Sequence, residues 1–331
     1  MLTTLGLLAS GGIVLYLGAE TAVRGASAFA RRAGIPVFVL GALLFGLDVE
    51  SMGTAVTAAS RGATQVAAGS IFGSVLFLFS AGFGAALLVS RRPIPSPGNA
   101  MVIAPCLPLG AATIALTDRF VSGSEGLILI GFYAIYVALL FRLRRADEEA
   151  PVEARAGEDS IDDLPDDGAE TSEVHASEAS PPPSPRLAPA GAALAGLALL
   201  AAGAWLLVEG GTRLIETTTL FPGFVGAAVV GVLTSLDEVL LEIVPVRRGT
   251  PELATGNLFG TIAAFSSGLL GLAAIVRPLD LDGAANAAFL GAVFLYAVVA
   301  VTFVLRGRAG RLLGGFVLAA YAAWLVATGS V

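Results

Sequence analysis

The sequence predicts an all-α polytopic membrane protein whose ten transmembrane helices form two inverted-topology five-helix repeats. Three observations carry this. Of 331 residues, 56% are hydrophobic and 14% charged, against about 25% charged in soluble domains, and the mean hydropathy is +0.83. Apolar runs near the length of about 20 residues that a spanning helix needs number ten. A pattern of fourteen residues occurs twice, once in each half of the chain.

Composition excludes several classes. One cysteine, Cys106, and one histidine, His175, rule out a disulfide framework and a Cys/His metal cluster. All 19 basic residues are Arg, against 26 acids, for a net charge of -7, whereas a nucleic-acid partner needs the opposite balance. A hard cation held by oxygen ligands stays open. No cofactor is expected, and the expected partners are the lipid bilayer and small inorganic cations.

The spans lie near 3–24, 36–59, 65–89, 100–117, 123–144, 188–210, 223–245, 252–276, 284–305 and 311–329. The first lacks a basic leader and is followed by Glu20 and Arg24 where a cleavage site would stand, so it reads as a retained span. Between the fifth and sixth, residues 146–187 hold 13 of the 26 acids together with Pro181, Pro182 and Pro183. Such a segment cannot bury enough apolar surface to fold alone, and it reads as a linker between units 1–145 and 188–331. Alternate loops divide the arginines 15 to 4. The rich set includes Arg31, Arg32, Arg91, Arg92, Arg247, Arg248, Arg306, Arg308 and Arg311; the poor set is Arg61, Arg119, Arg213 and Arg277. By the positive-inside rule, the linker is cytoplasmic and both termini lie outside the plasma membrane.

The halves repeat each other. Residues 61–74, RGATQVAAGSIFGS, and 248–261, RGTPELATGNLFGT, share Arg, Gly, Ala, Gly, Phe and Gly at a constant offset of 187, with Ser74 answered by Thr261. Glu20 and Arg24 are echoed by Glu209 and Arg213. Because five spans is an odd number, the second unit enters from the opposite face, as in many secondary transporters.

The second span of each half is interrupted by polar and acidic residues. One stretch contains Gly46, Asp48, Glu50, Ser51 and Thr54; the other contains Thr234, Ser235, Asp237, Glu238 and Glu242. A mid-membrane charge costs at least about 2.5–3.5 kcal/mol. Five carboxylates there would repel one another unless a cation or protons neutralised them.

These residues resemble the cation/calcium exchanger superfamily, which includes the sodium/calcium exchangers. Its two alpha-repeats carry G-T-S-L-P-E, then R-G, then G-N-x-x-G-S-N-x-x-N, and the resemblance covers all ten spans. It implies that Glu238 stands on the central Glu, Thr234 and Ser235 on the T-S pair, and Asp237 on the Pro. In the first repeat Leu47 and Asp48 match T-S, Glu50 the Pro and Ser51 the Glu. Ser74 and Thr261 match the hydroxyl ion ligand, Gly256 and Asn257 the G-N pair, which becomes Gly69 and Ser70. Departures are equally specific. Leu78, Phe265, Val75 and Ile262 replace polar family positions, and Glu242 adds a carboxylate one helical turn beyond Glu238. The missing first-repeat carboxylate is supplied by Glu50 after a one-residue slip, or by Asp48 from one turn earlier.

Simpler roles are available for some groups. Glu20 with Arg24 and Glu209 with Arg213 suit structural i,i+4 ion pairs; Gly69, Gly73, Gly256 and Gly260 suit helix packing; Ser74 and Thr261 could bond back to their own helices. The expected function is not enzymatic. It is secondary-active antiport, exchanging calcium or another hard divalent cation for sodium through Asp48, Glu50, Ser51, Ser74, Thr234, Ser235, Asp237, Glu238, Glu242 and Thr261. Proton-coupled cation exchange and a non-transporting membrane sensor are the alternatives.

Overall fold

The computed structural model describes residues 2–46, 48–149, 187–217 and 235–329. Most of the 146–187 linker, Thr234 and the first half of the span expected at 223–245 lie outside these residues, and so does the side chain of Glu50.

Helix α1, Leu2–Ala33, has 32 residues, about 48 Å at 1.5 Å per residue. It ends at Gly34, whose φ of 63° suits glycine, two residues before Pro36. The second span is broken. Helix α2, Val37–Leu40, passes through a π-turn at Gly41–Phe45 and stops, and helix α3 restarts at Val49 and runs to Ser60. Helix α4, Thr64–Phe77, continues through a π-turn at Leu78–Gly82 into α5, Phe83–Val89. The run at 100–117 folds as two helices, α6 (Asn99–Ile103) and α7 (Cys106–Ala115), because Pro105 lacks the N–H that would continue the ladder. Beside this break the Val102 carbonyl accepts the Tyr296 hydroxyl at 2.8 Å. Helix α8 spans Gly123–Glu149 and α9 spans Leu187–Thr217.

In the second half α10 is Leu236–Arg247, and α11, Pro251–Ala263, runs through a π-turn at Ala264–Leu269 into α12, Leu270–Val276. Helices α13, Gly283–Arg306, and α14, Arg311–Gly329, complete the chain. Thr64 and Pro251, Phe83 and Leu270, and Val89 and Val276 keep the 187-residue offset, so the sequence repeat is a repeat of helix boundaries and of π-turns. The Arg-Gly pairs are the turns before these helices, with Gly62 at φ 82° and Gly249 at φ 74°. Six helices among the described residues are long and apolar enough to cross a membrane, and Asn99–Ala115 and Arg311–Ala327 are shorter apolar helical stretches.

Two short antiparallel ribbons tie the halves together. Ile94–Pro95 (β1) pairs with Arg308–Ala309 (β4), and Phe120–Val121 (β2) with Leu279–Asp280 (β3). The first joins loops of the Arg-rich set and the second joins loops of the Arg-poor set, the same partition that arginine counting makes.

Packing separates the molecule into two apolar bodies. The larger centres on Phe72, Phe79, Phe259 and Phe303, with Phe259 edge-on to Tyr296 at 6.0 Å between centroids. The smaller is built on α1 and α9 around Leu15, Ala22, Leu200 and Leu207, and abuts Phe45, Leu241 and Val244. Its two helices are antiparallel and in backbone contact. Gly11, Gly18 and Gly25 face α9, and Gly196, Gly203 and Gly210 face α1. A Cβ at Gly18 would stand 2.5 Å from the Leu200 nitrogen, and one at Gly196 would stand 2.1 Å from the Ala22 nitrogen. The spacing of seven keeps the glycines on one side of each helix.

Candidate cation site

The break in the second span positions the first part of the site. Gly46 lies against α11, where a Cβ would meet the Gly260 carbonyl carbon at 2.8 Å; Gly256 and Gly260 in turn meet Phe38 and Ala42 backbone at 2.2 and 2.4 Å. Two glycine surfaces thus bring the broken helix onto α11, the packing role expected for Gly256 and Gly260. Beyond the break Asp48 starts α3: its carbonyl accepts the Met52 N–H at 3.0 Å and its Oδ2 accepts the Ser51 N–H at 3.2 Å. In the second half Ser235 precedes α10, and Asp237 and Glu238 occupy its first turn. Acids at helix N-termini are favoured by the positive end of the helix dipole.

These two N-termini border a cavity of about 210 Å³ whose described lining is Asp48, Ser51, Thr54, Ser70, Ser74, Ser235, Asp237 and Glu238. Every one of these side chains carries oxygen, three as carboxyl groups and five as hydroxyls. A second cavity of about 360 Å³ shares Asp48, Asp237 and Glu238 and is otherwise largely apolar, with Leu44, Leu78, Leu200, Leu241 and Phe265 on its wall and Asn257 and Thr261 as its other polar groups. The three carboxyl groups therefore stand where an oxygen-rich chamber meets an apolar one.

Glu242 is elsewhere. It is fully buried and lines neither cavity. Its Oε1 accepts Asn257 Nδ2 at 2.9 Å, and Asn257 Oδ1 accepts the Thr261 hydroxyl at 3.4 Å. Glu242 Oε2 is buried without a hydrogen-bond partner among the described residues. Its Cγ lies 3.4 Å from where a Gly82 Cβ would be, so the carboxyl packs against the π-turn at Leu78–Gly82. Asn257 stands between this group and the cavity.

The structure thus gathers Asp48, Ser51, Ser74, Ser235, Asp237 and Glu238 and leaves Glu242 behind Asn257. Thr261 reaches the apolar chamber and bonds a side chain, not its own helix backbone. Asp48 and Ser51 line the same cavity, as residues three apart on a helix can. Among the described residues no three His, Cys, Asp or Glu side chains converge closely enough to hold a metal by themselves, so hydroxyls, backbone carbonyls or water would have to complete a shell. Asn257 as the partner of Glu242 was not foreseen. The G-N pair marked the residue but not the helix it faces.

The chain matches the family described as sodium/calcium exchanger protein over residues 3–142 and 189–329. It belongs to that family. The resemblance read from the motifs is thereby borne out, and the chain is a multi-pass membrane protein of a transporter family. Among relatives of this exchanger, CaxA of Alkalimonas amylolytica, described as a candidate antiporter, is 26% identical over 282 residues, 83% of this chain and 81% of CaxA. Inner membrane protein YrbG of Escherichia coli (strain K12) is 23% identical over 334 residues, 98% of this chain and 96% of YrbG. A structure of the sodium-calcium exchanger NCX_Mj soaked with zero Na+ and Ca2+ matches with a TM-score of 0.75 at 20% identity, covering 99% of this chain and 98% of that one. Another, soaked with 2.5 mM Na+ and 0.1 mM Sr2+, gives 0.76 at 20% identity, covering 100% and 99%. At such identity the likeness is one of fold.

Proposed function

We propose that the protein is a secondary-active cation antiporter of the plasma membrane that exchanges calcium, or another hard divalent cation, for sodium by alternating access. The observation that carries this reading is the chamber whose described lining is made only of oxygen-bearing side chains, set at two helix N-termini, one from each half. Calcium accepts six to eight oxygen ligands in flexible geometry. We assign Glu238 as the central ligand, with Asp48 as the second carboxylate and Asp237 adjoining. Ser51, Ser74, Ser235, Thr261 and Thr234 are the hydroxyl ligands, and Glu50 is the reserve carboxylate in the first repeat. Two sodium ions would neutralise the same pair of charges in the return step.

The architecture we propose is ten spans in two inverted five-helix units, 1–145 and 188–331, joined by a cytoplasmic linker at 146–187, with both termini outside. The antiparallel α1 and α9 support inversion, since they open the two units. The exchange of partners between the two ribbons supports it as well. The family match is interrupted at 143–188, where the linker is proposed. The motion is rocking of the α1–α9 body against the larger bundle, for which the glycine contacts make a rigid pair and the separate apolar cluster a natural seam.

Proton-coupled exchange is the second reading, favoured by Glu242, a buried carboxyl set apart from the cavity behind Asn257. Both readings are tested by calcium flux into proteoliposomes under an imposed sodium or proton gradient. Calcium uptake driven by sodium supports the first and uptake driven only by protons the second. No uptake under either gradient overturns antiport and leaves a non-transporting protein.

A further inference from the structure

We infer that the protein carries a binding site for the phosphate headgroup of an anionic phospholipid beside the ribbon formed by Ile94–Pro95 and Arg308–Ala309. A cavity of about 530 Å³ there is lined by Arg91, Arg92, Arg306, Arg308 and Arg311. An adjoining cavity of about 790 Å³ shares Arg91 and Arg92 and adds Arg247. No acid lines either one, and none of the six arginines forms an ion pair among the described residues.

The positive-inside rule accounts for arginines in these loops but not for their convergence. The ribbon draws guanidinium groups from two chain segments into one hollow, with Arg247 of a third lining the hollow beside it, and their like charges favour the entry of an anion. Arg311 opens α14, the helix end at which a basic residue is disfavoured and an anion favoured. Its Nε donates to the Ser90 carbonyl at 3.2 Å, which holds the group at the mouth of the cavity. Guanidinium forks match phosphate oxygens in pairs, and basic pockets between membrane helices suit lipid headgroups. The apolar side of the ligand has a place too: Leu312 on the cavity wall is 87% exposed and nearby Leu305 is 77% exposed, facing where acyl chains would lie.

The test uses the full-length protein in neutral detergent, with phosphatidylglycerol, phosphatidylcholine or inorganic phosphate added in turn. Native mass spectrometry and thermal unfolding are the readouts. Phosphatidylglycerol should be retained and should raise the melting temperature, while phosphatidylcholine and inorganic phosphate should do neither. Arg308→Gln with Arg311→Gln, and separately Arg91→Gln with Arg92→Gln, should each weaken phosphatidylglycerol retention at least about tenfold, the loss expected for one charge-assisted phosphate contact, and should melt like the parent without lipid. Equal retention of the two lipids, unchanged retention in a folded double variant, or an equal thermal shift from inorganic phosphate would overturn the assignment.

Discussion

Glu20 on α1 is ion-paired to Arg248, the arginine of the second repeat's Arg-Gly turn, and also holds Arg24 at 3.3 Å. Its counterpart Glu209 on α9 holds Arg213 at 2.7 Å, while Arg61, the counterpart of Arg248, has no ion pair among the described residues. One end of the α1–α9 body is thus tied to the bundle by a link that its symmetry mate lacks. In a Cys106→Ser background, a short thiol cross-linker should join Glu20→Cys to Arg248→Cys quickly and Glu209→Cys to Arg61→Cys slowly. Ion conditions that favour the opposite-facing state should reverse that order. Equal rates under all conditions would mean that the asymmetry is unrelated to transport.

Glu238→Gln keeps the size and helical position of the central residue but removes its charge from the chamber. Losing a charge-assisted contact in this half-buried site costs about 1.5–3 kcal/mol, so exchange should fall about ten- to a hundredfold while the melting temperature holds. Flux at the parental rate would remove Glu238 from the ion path.

Asp48 has two roles that substitution can separate. Asn is as good an N-cap as Asp, so Asp48→Asn should stay near native stability and lose cation affinity. Asp48→Ala should lose affinity and about 0.5–2 kcal/mol of stability as well. If the Asn variant binds calcium like the parent, Asp48 is only a cap.

Asn257→Ala leaves buried Glu242 without its 2.9 Å donor and should destabilise the protein by about 1–3 kcal/mol, read from denaturation in detergent. Glu242→Gln still offers Asn257 an acceptor oxygen and should remain folded. It should leave sodium-driven calcium flux intact and abolish any proton-driven component. Loss of the sodium-driven flux alone would return Glu242 to the cation's own shell.

Gly196→Val forces a side chain onto the Ala22 backbone and should cost about 1–3 kcal/mol by overpacking. Gly12→Ala, with nothing described within 4 Å of its Cβ, should be neutral or mildly stabilising. Similar melting temperatures for the two variants would contradict the close approach of α1 and α9.

Much of this protein was legible in one dimension. Membrane residence follows from composition, because so few charged groups leave water no surface to hold. The repeat was readable because the Arg-Gly turns are a local requirement, a left-handed φ at Gly62 and Gly249, that recurs wherever the same turn recurs, whereas the expected glycine packing holds at Gly256 and Gly260 and not at Gly69 and Gly73, which have nothing described within 4 Å of a Cβ. The break at Gly46 was readable for the same reason, since polar and acidic side chains cluster where a span unwinds. The tertiary structure decided what depends on which face meets which. The seven-residue glycine spacing is visible in the sequence, but its antiparallel partner is not, because packing in lipid rests on shape across two distant segments. Asp48, Asp237 and Glu238 share a chamber and Glu242 does not, although all four sit in equally polar stretches. A helix turns each residue by about 100°, and only the neighbours of each face determine whether a carboxyl opens on a cavity or is closed off behind an asparagine.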